Sequence, residues 1–127
     1  MNIGFIGTGI MGAPMAGHLL DAGHTLHVFD RAQVPQALKD KGAVVCRSSR
    51  EVAERSETII TMVPDTPHVE AALFGEGGVA EGLSSGKLVI DMSSISPIAT
   101  KEFARRIEAL GCDYLDAPVS GGEVGAK

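Results

Sequence analysis

The stretch Ile3-Gly4-Phe5-Ile6-Gly7-Thr8-Gly9-Ile10-Met11-Gly12 decides how the rest of the chain is read. The run from Ile3 to Ile6 has the apolar content of a buried strand and leads straight into a GxGxxG turn at Gly7, Gly9 and Gly12. Met11, Met15, Leu19 and Leu20 then recur at helical spacing, and Gly23 marks the stop. A second apolar-alternating run, Thr25 to Phe29, ends on Asp30, eighteen residues after Gly12. Strand, glycine turn, helix, strand and acid, in that order, read as a dinucleotide-binding βαβ unit.

Each residue of the turn has a physical task. Gly7 allows the sharp exit from the strand, Gly9 lets backbone N–H groups approach a pyrophosphate, and Gly12 lets the helix lie close to the strand. Thr8, Ile10 and Met11 complete the phosphate-facing turn, and the helix N-terminus adds unpaired N–H groups with a partial positive charge. Asp30 is placed to accept from both ribose hydroxyls, which favours NAD, while Arg31 beside it can turn to a 2′-phosphate and admit NADP.

Outward from this unit, strands and helices alternate. Helices are expected at 10–21, 33–41, 49–56, 67–74 and 97–110, with Pro14 early in the first, Ser49 and Ser96 as N-caps, and Gly42 and Gly111 as stops. Strands are expected at 3–6, 24–30, 43–46, 58–63, 88–91 and 114–119. The alternation predicts one α/β domain over residues 1–127: a Rossmann-type, doubly wound, mainly parallel sheet with helices on both faces. Ligands of such sheets sit outside the carboxyl ends of the strands, which gathers the glycine turn, Val63-Pro64-Asp65, Met92-Ser93-Ser94 and Ser120-Gly121-Gly122 at one edge.

Composition narrows the function. The formal charge of −5 and the lack of a Lys/Arg-rich stretch argue against a nucleic-acid partner. No basic leader precedes an apolar stretch and no apolar run reaches membrane-spanning length, which points to a cytoplasmic protein without a membrane partner. Cys46 and Cys112 lack metal-ligand spacing and read as reduced thiols. His24 and His27, three apart on a strand, face opposite ways; with His18 and His68 they read as structural or surface residues, and no metal site is expected. Asp91 reads as a strand-end acid and Asp116 as a loop hydrogen-bond acceptor.

The stretch from Phe5 to Ala16 resembles the N-terminal signature of the β-hydroxyacid dehydrogenase family, which includes 3-hydroxyisobutyrate dehydrogenase and tartronate semialdehyde reductase. Met62-Val63-Pro64-Asp65-Thr66-Pro67, Asp91-Met92-Ser93-Ser94-Ile95-Ser96-Pro97 and Asp116-Ala117-Pro118-Val119-Ser120-Gly121-Gly122 agree in register, and the last two, with Leu73-Phe74-Gly75-Glu76, are most similar to the tartronate semialdehyde reductase branch. Thr8 departs from the Leu common in the family. The resemblance implies hydride transfer between NAD, or NADP, and a short β-hydroxy acid. It implies substrate carboxylate binding by Ser120, Gly121 and Gly122, with the Ser94 hydroxyl meeting nicotinamide or substrate. It also implies cofactor contacts from Val63, Pro64 and Asp65, a homo-oligomer at full length, and an all-helical domain carrying a catalytic Lys beyond residue 127. Two other classes stay open: a noncatalytic nucleotide-sensing module, and an S-adenosylmethionine-dependent transferase. The third glycine and the turn after Asp91 speak against the transferase.

Overall fold

A computed structural model of the chain describes residues 2–7, 12–30, 34–63, 66–93 and 97–117. The first apolar run forms β1 (Asn2–Ile6), buried without a break from Ile3 to Ile6, as a strand covered on both faces must be. Then follow α1 (Gly12–Asp21), β2 (Thr25–Phe29), α2 (Gln36–Asp40), β3 (Val44–Val45), α3 (Ser49–Arg55) and β4 (Thr58–Thr61). The second half comprises α4 (Thr66–Phe74), α5 (Val79–Gly82), β5 (Leu88–Asp91), α6 (Pro97–Glu108) and β6 (Asp113–Asp116).

The strands make one sheet of order β3-β2-β1-β4-β5-β6, and every pairing is parallel. The chain starts at the centre, moves out to β3, returns across β1 to β4 and moves out to β6. This is the expected doubly wound fold, with its switch point between β1 and β4.

Alternate residues of the strands feed two cores. Ile3 and Phe5 pack with Leu26, Val28, Ala16 of α1 and Leu38 of α2. Ile6, Ile59 and Val89 pack on the opposite face with residues of the later helices, including Val52 of α3, Leu73 of α4 and Ile107 of α6. With no Trp, the density comes from aliphatic residues with Phe5 in one core and Phe103 in the other, both buried. Gly4 sits where β1 passes under α3. A Cβ there would collide with the Val52 side chain and stand 2.8 Å from Ser56 Oγ, so helix and strand are closer than any larger residue permits.

Several boundaries differ from expectation. The third helix is capped by Ser48, not Ser49: the Ser48 hydroxyl accepts from the Glu51 N–H at 3.2 Å, and Ser49 is buried in the first turn. The second helix starts at Gln36 because Pro35 occupies its N-cap in extended geometry. The glycine-rich stretch after Phe74 holds a further short helix, α5, which packs on α3 and which glycine content concealed. β4 ends at Thr61, so Met62 and Val63 belong to the loop. Asp116 is the last residue of β6, not a loop residue. α1 does stop where expected, at Gly23 with φ +92°, a left-handed backbone that suits glycine.

Candidate functional site

On the β1–β2 side the site is built from backbone. Gly7 leaves β1 with φ +94°, a left-handed conformation costly for any side chain, and an added Cβ would run into the Met62 carbonyl oxygen and stand 3.0 Å from Val63 Cγ1. Its N–H donates to the Phe29 carbonyl at 3.0 Å, pinning the turn to the end of β2, where Asp30 follows at once, partly buried. α1 opens at Gly12 and carries no acid in its first turn, so its own first turn leaves the partial positive charge of its N-terminus unopposed. Gly7, Gly12, Asp30 and Val63 therefore lie at the carboxyl edge of the sheet. Thr8, Gly9, Ile10, Met11, Arg31, Pro64, Asp65, Ser94, Ser120, Gly121 and Gly122 lie outside the described residues.

On the β4–β6 side the edge is held by side chains. Asp91, fully buried at the end of β5, accepts from Thr61 Oγ1 at 3.0 Å and from the Ser93 N–H at 3.0 Å through Oδ1, and from the Tyr114 hydroxyl at 3.1 Å through Oδ2. Ser93 Oγ in turn accepts from the Val63 N–H at 2.8 Å, so that N–H is committed to the protein. Burial and the adjacent Asp91 charge push the Tyr114 hydroxyl well above its ordinary pKa, so it stays protonated and donates. Burial, followed by the charge of Asp91, also raises the Asp116 carboxyl. Sequence reading passed over Thr61, Ser93 and Tyr114 as parts of this network. The available signal was polar Thr61 closing β4 after the apolar Ile59 and Ile60, level with Asp91 in the pairing register.

The remaining titratable groups named from the sequence stand apart. His27 is buried on β2 with Nδ1 unsatisfied, and its pKa is lowered by burial and by Arg55, against the opposing pull of Glu51. Cys46 and Cys112 are buried free thiols, and burial pushes Cys46 up to about 11. Among the described residues no group of His, Cys, Asp and Glu is arranged to hold a metal, and no helix is long and apolar enough to cross a membrane.

A turn that excludes side chains, a helix N-terminus clear of acids and a carboxylate after β2 fit a dinucleotide. Residues 2–127 match the family described as the NAD binding domain of 6-phosphogluconate dehydrogenase. The chain belongs to that family.

This NAD-binding domain is 57% identical over 127 residues to the 2-hydroxy-3-oxopropionate reductase of Escherichia coli (strain K12), a match covering 100% of this chain and 44% of the relative. Among solved structures it is similar to the 3-hydroxyisobutyrate dehydrogenase of Mycobacterium tuberculosis with L-serine, at 37% identity and a TM-score of 0.87 over 98% of this chain and 42% of that one. It is also similar to an imine reductase from Myxococcus stipitatus in complex with NADP+, at 27% identity and a TM-score of 0.88 over 97% and 42%. The first two relatives bear out the resemblance to β-hydroxyacid dehydrogenases. The cofactor reading, NAD with NADP admissible, agrees with the family and with that complex. The chain spans less than half the length of these relatives.

Proposed function

We propose that this domain serves an oxidoreductase that moves a hydride between a nicotinamide dinucleotide and a short β-hydroxy acid, reducing tartronate semialdehyde to glycerate. The observation that carries the reading is identity to the 2-hydroxy-3-oxopropionate reductase at 57% of positions across the whole chain, joined to a sheet edge shaped for a dinucleotide. A bound nicotinamide supplies or takes up the hydride. In this reading Gly7 to Gly12 hold the pyrophosphate and Asp30, with Arg31 beside it, faces the adenosine ribose. Val63, Pro64 and Asp65 border the cofactor, and Ser94 lies where nicotinamide and substrate meet. Ser120 with the Gly121 and Gly122 amides holds the substrate carboxylate, so that the aldehyde carbon rests in attack range. The proton comes from a Lys in the portion of the relatives that this chain does not match. A cytoplasmic homo-oligomer at the relatives' length completes the proposal. A 3-hydroxyisobutyrate dehydrogenase or related semialdehyde reductase is the second reading, favoured by the likeness to the mycobacterial enzyme.

The test has two parts. The 127-residue chain, titrated with NADH, should bind it and then leave it unoxidised when tartronate semialdehyde is added. Turnover by the chain alone would place the proton donor within it. In a protein of the relatives' length carrying this sequence, Ser120→Ala should raise KM for the acid about ten- to a hundredfold, the worth of one hydrogen bond to a charged group, and leave NADH affinity in place. Equal loss of both affinities would remove Ser120 from the carboxylate site.

A further inference from the structure

The geometry points to Asp91 as a positioning residue that sets the nicotinamide half of the dinucleotide site through Ser93 and Val63. The inference rests on the reading of this edge as a dinucleotide site and deepens it. A continuous line of contacts crosses the sheet at its carboxyl edge. The Tyr114 hydroxyl of β6 donates to Asp91, Asp91 receives the Ser93 N–H, the Ser93 hydroxyl receives the Val63 N–H, and Val63 borders the Gly7 turn. Thr61 braces the same carboxylate from β4.

Asp91 is shut away from solvent and already accepts from Thr61, the Ser93 N–H and Tyr114, so it acts on the site through those partners. Its effect is to fix Val63, just after β4, and Ser93, just after β5, in one relative position. In a doubly wound sheet the β1–β2 half takes the adenosine mononucleotide, and the half beyond the switch point takes the other one. The loops held by Asp91 belong to that second half. A site held in its binding conformation before the ligand arrives avoids the ordering cost at binding, so loosening these loops weakens whatever rests on them.

This gives the network a signature that general support of the fold lacks. Ser93→Ala removes the link to Val63, and Tyr114→Phe, at a half-buried position, removes one donor to Asp91 while keeping the ring. Titrated well below the unfolding midpoint, both variants should bind NADH about five- to tenfold more weakly, the scale of one lost hydrogen bond, and bind ADP-ribose as the parent does. Ser93→Thr, which keeps the hydroxyl, should restore NADH affinity if Ser93→Ala folds poorly. Equal weakening toward both ligands, or unchanged affinity for NADH, overturns the positioning role. Failure of the parent chain to bind either ligand overturns the dinucleotide reading itself and the inference with it.

Discussion

On the β1–β2 side of the carboxyl edge the site consists of backbone: a glycine whose φ no side chain suits, an amide pinned to Phe29, and the open end of a helix. On the β4–β6 side it consists of side chains: a sealed carboxylate with a threonine, a tyrosine and a serine amide gathered on it. Both halves position loops at the ends of parallel strands, but they fail in different ways. A backbone site is destroyed by adding atoms. A side-chain network is destroyed by removing them.

The largest effect should follow from emptying the network. Asp91→Ala strips the acceptor from Thr61, Ser93 and Tyr114 at a fully buried position and should cost about 3–5 kcal/mol, since each stranded donor carries a desolvation penalty. A urea unfolding midpoint matching the parent's would show that the network does not hold the edge. Gly7→Ala is the mirror experiment and should cost about 2–4 kcal/mol, from the left-handed backbone and the collision with Met62, with NADH binding lost alongside. Tolerance of Ala at Gly7 would mean that the turn relaxes and that the backbone half accepts added atoms after all.

Asp30→Ser sharpens the comparison without breaking either half. With Asp30 facing the adenosine ribose as proposed, its carboxylate would repel a 2′-phosphate, and the ratio of NADH to NADPH affinity should fall about tenfold in the variant. An unchanged ratio would assign the choice of cofactor elsewhere. The smallest effect concerns pH. His27 is held below its ordinary 6.5, so below that value the unfolded chain binds a proton that the folded chain refuses. Stability should therefore decline as pH falls from about 6.5 toward the folded value, and His27→Gln should flatten that decline. A parallel decline in parent and variant would trace it to other groups.

The same contrast explains what the sequence disclosed. The β1–β2 half was legible because its determinants are local: glycines at fixed offsets, a helical apolar period and one acid at the right distance, all within thirty residues. The doubly wound parallel class followed from the alternation of elements. The Asp91 network was not legible, because Thr61, Asp91 and Tyr114 meet only when parallel strands align in register across long separations. Ser48 was missed in favour of its neighbour because two serines in succession offer equal side chains, and only the extended backbone at Ser48 selects it. The short helix α5 was hidden in a segment whose glycines favour turns, and its place is set by contact with α3 rather than by propensity.

The two ends of the sheet bear on how copies of the chain behave in a crowded solution. β3 is two residues long and offers little backbone for another strand to copy. β6 is longer, but its sequence Asp113-Tyr114-Leu115-Asp116 places an exposed carboxylate at each end, with Leu115 52% exposed between them. If two such strands met edge to edge, parallel pairing in register would set Asp113 against Asp113 and Asp116 against Asp116. Antiparallel pairing would set each against the other. Either way like charges face one another, so the acids that bracket β6 act as a guard against fibre-like stacking at this described edge of the sheet.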